Sequence, residues 1–253
     1  MVKIKKEDLQ KLTILKGEAN HHNNNGTIYL NGDTIYKLID AKYFFPEETK
    51  RNIDYQIDNP LPHTPIIYDE LFIDEEFSGY IMEYIKDSMS FRQALTANLP
   101  EEVKRKAILD IFETLKELHK NNITLGDVHL DNFLITKDGG YVIDLDYMRF
   151  PGDEFKFQTC YDIIKGKTKY TRSSKYSDSI KVLIVALSLL LGVDLEARLL
   201  KHNEIHLEEL YQIVLETNNK ELIEYFNKIM NGEDIYYFDD FLNSIIPKQK
   251  QVW

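Results

Sequence analysis

Leu125-Gly126-Asp127-Val128-His129-Leu130-Asp131-Asn132 is followed by Phe133-Leu134-Ile135, Asp138-Gly139-Gly140 and Tyr141-Val142-Ile143-Asp144-Leu145-Asp146. An aspartate and an asparagine here stand five positions apart, and a carboxylate closes an apolar run twelve positions after the asparagine. Apolar triplets on either side of the Asp138-Gly139-Gly140 turn predict a small hairpin. Asp127 to Asn132 then becomes the loop entering that hairpin, and Asp144 the residue at its exit. Upstream, Val103, Ala107, Ile108, Ile111, Leu115 and Leu118 recur at three- and four-residue intervals, which predicts an amphipathic helix from Pro100 to His119 with proline in its first turn. Downstream, the longest apolar stretch, Val182 to Leu191, falls far short of the roughly 20 residues that span a bilayer. It predicts a fully buried helix.

The first third of the chain reads as strands. Ile14 to Glu18 is one candidate, and Thr27 to Leu30 and Thr34 to Leu38 flank Asn31-Gly32, whose tolerance of positive φ marks a hairpin. Pro46 and the acidic pair Glu47-Glu48 open a helix running to about Ile57. Strands are expected from Pro65 to Leu71 and from Gly79 to Tyr84. Past Asp178 the pattern is helical to Ile246. A strand-rich front and a helix-rich back predict an α+β chain in two lobes, residues 1–86 and 87–253.

Composition narrows the function classes. With 253 residues, 43% hydrophobic, the chain can bury a sizeable core. Its single cysteine, Cys160, rules out an internal disulfide and suits a reducing compartment, where an ordinary core or loop thiol is expected. The charged start, Met1 to Gln10, lacks a secretory signal, so a cytoplasmic location without membrane attachment is expected. A net charge of −11 weighs against nucleic acid as a partner.

The chemistry in the opening stretch is that of phosphoryl transfer. It needs a carboxylate near the attacking hydroxyl, oxygen ligands for magnesium and cations on the phosphates. Hard oxygen donors suit Mg²⁺, and an asparagine beside an aspartate limits the accumulated charge.

These residues resemble the protein-kinase superfamily, including its aminoglycoside and choline kinase relatives, over nearly the whole chain. The resemblance implies a bilobal kinase-like fold that binds ATP and Mg²⁺, with Asp127 as catalytic base, Asn132 as metal ligand and Asp144 as the main magnesium ligand, in the place of the Asp-Phe-Gly aspartate. Ile35-Tyr36-Lys37 is similar to the Val-Ala-Ile-Lys strand, implying that Lys37 meets the α- and β-phosphates, with Glu48, and next Glu47, as its ion-pair partner. Glu83-Tyr84-Ile85 looks like the hinge that meets adenine through backbone hydrogen bonds. Asp178 resembles the aspartate that braces the catalytic loop, and His119 is expected to serve the helix end or the backbone.

The departures bear on the acceptor. Leu125-Gly126 replaces His-Arg, so control by a phosphorylated activation segment loses its charge partner. His129 stands where small-molecule kinases often have histidine, and Asp146 replaces the glycine of Asp-Phe-Gly, either as an auxiliary ligand or as a solvated carboxylate. Residues 17–26 lack the Gly-x-Gly-x-x-Gly pattern, and His21-His22 reads as part of a polar loop. No Ala-Pro-Glu sequence lies between Asp146 and Asp178, where Thr168, Tyr170, Ser173 and Ser174 are candidate phosphosites beside an ordinary polar loop. The expected activity is an ATP- and magnesium-dependent kinase acting on a hydroxyl, with a small molecule favoured over a protein as acceptor. A pseudokinase serving as a binding module, or an AMP transferase on the same scaffold, is the alternative.

Overall fold

A computed structural model describes residues 2–16, 26–39, 46–153, 174–201, 204–205, 207–218 and 220–231. The expected phosphate loop up to residue 25, Cys160, the candidate phosphosites Thr168, Tyr170 and Ser173, and the chain beyond residue 231 lie outside the described residues. The chain divides into two compact units, Met1–Ser88 and Met89–Trp253, where the sequence reading places the boundary after Lys86. The architecture is α+β.

The first unit contains β1 (Val2–Ile4), α1 (Lys6–Leu9), β2 (Thr13–Lys16), β3 (Ile28–Asn31), β4 (Thr34–Leu38), α2 (Pro46–Asp58), β5 (Ile67–Ile73) and β6 (Glu76–Glu83). Its six strands form one mixed sheet in the order β1-β5-β6-β4-β3-β2, antiparallel except where β1 runs parallel to β5. β1 and α1 were not expected, because Val2-Lys3-Ile4-Lys5-Lys6 is short and lysine-rich and gains its strand only by pairing with Leu71 to Ile73. The β3–β4 hairpin turns on Gly32-Asp33, one residue later than the Asn31-Gly32 reading, since Asn31 still pairs with Thr34. Gly32 supplies the positive φ that such a tight connection needs. Ile53 of α2 packs with Ile67 and Tyr80 of the sheet, bordered by Ile57, Phe77 and Met82.

The second unit begins with β7 (Met89–Ser90), α3 (Phe91–Ala94) and α4 (Glu101–Lys120), then β8 (Phe133–Thr136) and β9 (Gly139–Val142). It continues through α5 (Lys175–Leu191), α6 (Leu195–Leu199), β10 (Leu200–Lys201), β11 (Glu204–Ile205), α7 (Leu207–Glu216) and α8 (Lys220–Met230). The short β10–β11 pair interrupts the helical run expected after Asp178. Every residue from Ser177 to Leu189 is buried, as the apolar stretch in α5 requires. Among the described residues, no helix is long and apolar enough to cross a membrane.

The β8–β9 hairpin corrects one detail of the sequence reading. Thr136 pairs with Gly139, so Lys137-Asp138 makes the turn, while Gly139 and Gly140 belong to the strand. The glycines serve packing instead. A Cβ on Gly140 would lie 2.4 Å from the Ala107 carbonyl oxygen, so only glycine lets β9 approach α4 this closely. At the contact, the buried Asp110 carboxylate accepts from the Gly140 amide at 2.9 Å and from Lys106 Nζ at 2.9 Å. Those bonds anchor the hairpin to the helix that precedes the Asp127 loop.

Candidate active site

Asp127 lies in the segment joining α4 to a 3₁₀ turn, Leu130–Asn132, that leads directly into β8. Two devices fix this segment. Asp178, buried at 1% exposure near the start of α5, accepts from the Leu125 amide through Oδ2 at 2.8 Å. The same oxygen meets His119 Nε2 at 3.2 Å, so His119 serves the Asp178 carboxylate rather than the end of its own helix. Thr124 and Arg149 also exchange both backbone hydrogen bonds, at 3.0 and 2.9 Å, tying the entry of the loop to the chain just past Asp144. Between these ties, Gly126 adopts φ +79°, and a Cβ there would lie 2.2 Å from the Tyr147 carbonyl oxygen. Position 126 has no room for a side chain.

Asn132, 4% exposed, donates from Nδ2 to the Asp127 carbonyl oxygen at 3.1 Å and approaches Asp127 Oδ2 at 3.5 Å. Nδ2 is thereby committed to the loop, which makes Oδ1 the atom able to take a cation. Across the hairpin, the Ile143 amide donates to the Asn132 carbonyl oxygen at 2.9 Å, so Asp144 follows directly on a residue bonded to Asn132. Asp144 holds a left-handed backbone, φ 64° and ψ 46°, just before the 3₁₀ turn Leu145–Tyr147. For a residue other than glycine, this conformation costs about 1 kcal/mol or more and persists where the surroundings impose it. Asp127, Asn132 and Asp144 thus come together at one end of one hairpin.

Among the described residues, no group of three or more His, Cys, Asp or Glu is arranged to hold a metal ion. One asparagine oxygen and one carboxylate fit magnesium, which keeps several waters and takes substrate phosphate oxygens, better than they fit an ion caged by protein.

His129 faces Asp127, with Nε2 3.5 Å from Oδ2. Its Nδ1 accepts from the Asp131 amide at 3.2 Å, which places the ring proton on Nε2, toward Asp127. Burial opposes a charged ring, but the hydrogen bond and charge of Asp127, with Glu196 and Asp131 adding, raise the His129 pKa above its ordinary value. Protonating Nδ1 would forfeit the amide bond and turn that nitrogen to Asp131 Oδ2, 3.8 Å away. The two influences oppose each other at the same ring. Glu196, which the sequence reading missed, lies beneath the loop with its carboxyl pKa raised by burial.

In the first unit, Lys37 shares the inward face of β4 with Ile35 and is only 3% exposed. Its Nζ lies 5.3 Å from the centre of the Tyr80 ring, a cation–π distance. A lysine buried in a sheet is costly to desolvate. Glu48, in the first turn of α2, is half-buried, whereas Glu47 beside it is exposed. At the end of β6, the Glu83 amide donates to the Ile66 carbonyl and the Tyr84 amide to the Asp33 carbonyl. The N–H groups of Glu83 and Tyr84 are therefore used within the protein itself. Asp146 is half-buried in the turn after Asp144. Neither known family models nor curated proteins match the chain, so its functional reading rests on this geometry.

Proposed function

We propose that the protein is an ATP- and magnesium-dependent phosphotransferase of kinase-like, two-lobed fold, acting on a hydroxyl-bearing acceptor with Asp127 as base. The observation that carries this reading is the gathering of Asp127, Asn132 and Asp144 at one hairpin end, with the Asp127 loop tied down by Asp178 and the Thr124–Arg149 bridge.

Asp127 Oδ2 takes the proton of the acceptor hydroxyl as its oxygen attacks the γ-phosphorus. The bond to the β,γ-bridging oxygen breaks, and ADP leaves with the displaced electron pair. Asn132 Nδ2 and His129 Nε2 both address the same carboxylate oxygen and orient it. Magnesium held by Asn132 Oδ1 and the Asp144 carboxylate would offset charge on the phosphate oxygens. Lys37, with Glu48 as its assigned partner, binds the α- and β-phosphates, and the Glu83-Tyr84-Ile85 backbone meets adenine. Because two of that segment's amides are already engaged, adenine recognition falls to the remaining backbone groups.

The acceptor assigned is a small hydroxylated molecule. Position 126 cannot carry the arginine through which a phosphorylated segment is read in protein kinases, and this supports the choice. Incubation with γ-labelled ATP, Mg²⁺ and either a metabolite pool or a protein fraction, followed by mass spectrometry, tests the proposal. A phosphorylated small product that disappears with Asp127→Asn is expected. Labelled polypeptide alone would overturn the acceptor, an AMP adduct would overturn the transfer, and no product in either pool would favour a binding module.

A further inference from the structure

Arg92 has no part in the chemistry above, yet its one side chain gathers three carboxylates from two separate segments. From α3, Nε donates to Asp131 Oδ2 at 2.7 Å, Nη1 to Asp194, and Nη2 to Glu196 Oε2 at 3.2 Å. Asp131 belongs to the 3₁₀ turn after Asp127, while Asp194 and Glu196 begin the chain segment of α6. Glu196 Oε2 also accepts from the Leu130 amide at 3.4 Å. Two consecutive residues of the loop are thereby fastened to one cluster, Leu130 by its backbone and Asp131 by its side chain.

The cluster leads back to the base in two contacts. The Asp131 amide donates to His129 Nδ1 at 3.2 Å, and His129 Nε2 stands 3.5 Å from Asp127 Oδ2. We propose that Arg92 is a positioning residue for Asp127: by fixing Asp131 and Leu130 it holds His129 with its proton on Nε2, and so sets the direction of the Asp127 carboxylate. The inference rests on the reading of Asp127 as base. Stability alone explains the cluster poorly. Four carboxylates, those of Asp127, Asp131, Asp194 and Glu196, surround one guanidinium and one imidazole, and partly buried ion pairs contribute little net stability once desolvation is counted. What the arrangement does supply is registry. The planar guanidinium fork fixes three partners at once, which the point charge of a lysine cannot do.

Arg92→Lys and Asp131→Asn, made in the full chain, test the proposal with two measurements. The first is the ¹⁵N NMR signature of the His129 ring, expected to show the Nε2–H tautomer in the wild type and a mixture in both variants. The second is phosphate release from Mg-ATP. There kcat is expected to fall on the order of 10- to 100-fold, the scale of a misplaced reacting group, while KM for ATP stays within about twofold. An unchanged tautomer with wild-type kcat, and only a lower melting temperature, would overturn the proposal. Should Arg92→Lys fail to fold, Asp131→Asn decides, since it removes a charge and keeps the shape. Should the wild type release no more phosphate than Asp127→Asn, the phosphotransferase reading fails, and the ring signature alone decides whether Arg92 governs His129.

Discussion

The two units hold their assigned residues in different ways. In the second, the Asp127 loop is held from several sides: Asn132 and His129 approach the Asp127 carboxylate from within the loop, Asp178 holds the Leu125 amide, and the Thr124–Arg149 bridge ties the neighbouring chain. In the first, Lys37 is buried on the inward face of β4 with its Nζ 5.3 Å from the centre of the Tyr80 ring, and the amides of Glu83 and Tyr84 are held by the Ile66 and Asp33 carbonyls. The proposed base would have to point at one atom, and the bonds around its loop favour a single orientation. The proposed nucleotide contacts call for a buried cation and the backbone of a half-buried strand end, both of which the sheet presents.

The contrast is broken most sharply at the base. Asp127→Asn is expected to lower phosphoryl transfer by about 10²- to 10⁴-fold, the range of general-base catalysis, while Mg-ATP still binds. Asp144→Ala should lose transfer and metal-dependent binding together, because its carboxylate is assigned to the ion and not to the acceptor. Calorimetric titration of each variant with ATP, with and without Mg²⁺, separates them. Equal loss of affinity in both would show that the roles are misassigned.

Support for the base comes next in size. Asp178→Ala strands the Leu125 amide and His119 in a buried site, and is expected to cost about 3 kcal/mol of stability as well as activity. Urea denaturation measures it, and a change below about 1 kcal/mol would mean that the Thr124–Arg149 bridge and the Arg92 cluster hold the loop without Asp178. A smaller effect is expected at Gly126. Alanine there meets both the strained φ of +79° and the Tyr147 carbonyl oxygen, so about 1–3 kcal/mol should be lost. Wild-type stability for Gly126→Ala would show that the approach to Tyr147 is easily relieved.

The second unit was legible in the sequence because its elements are written in spacing, while the roles of its polar residues come from the resemblance. Asp127, Asn132 and Asp144 sit at fixed intervals around a hairpin, and both the helix before it and the buried helix after it carry clear apolar periods. The Asp178 hold on the loop, 53 residues along the chain, was expected only through the resemblance, and other long-range contacts stayed hidden from that reading. His119 found Asp178, 59 residues away, and Arg92 found Asp194, 102 residues away, at distances along the chain where no local pattern operates. The Gly139-Gly140 pair misled in a physical way, since glycine marks a turn and a close helix contact equally well. β1 escaped for the opposite reason: three residues carry no period, and only the edge of β5 gives them a partner.

The smallest expected effect belongs to the first unit and tests whether its contribution there is made by backbone. Glu83 is half-buried, and its carboxylate makes one long contact, accepting from the Ile66 amide through Oε2 at 3.3 Å. Such an accessible single bond is worth about 0.5–1 kcal/mol at most. Glu83→Ala keeps the backbone bond from its own amide to the Ile66 carbonyl, so the strand end keeps its place. If adenine is met by backbone groups of this segment, the variant should bind Mg-ATP with Kd within about threefold of wild type, below 0.7 kcal/mol, by the tenfold-per-1.4 kcal/mol relation. The measurement is calorimetric titration beside a urea melt. A tenfold loss of affinity without loss of stability would give the Glu83 side chain a direct role in nucleotide binding and erase the contrast between the two units. A wild-type affinity would sharpen it, leaving Lys37 as the side chain through which the first unit addresses the nucleotide.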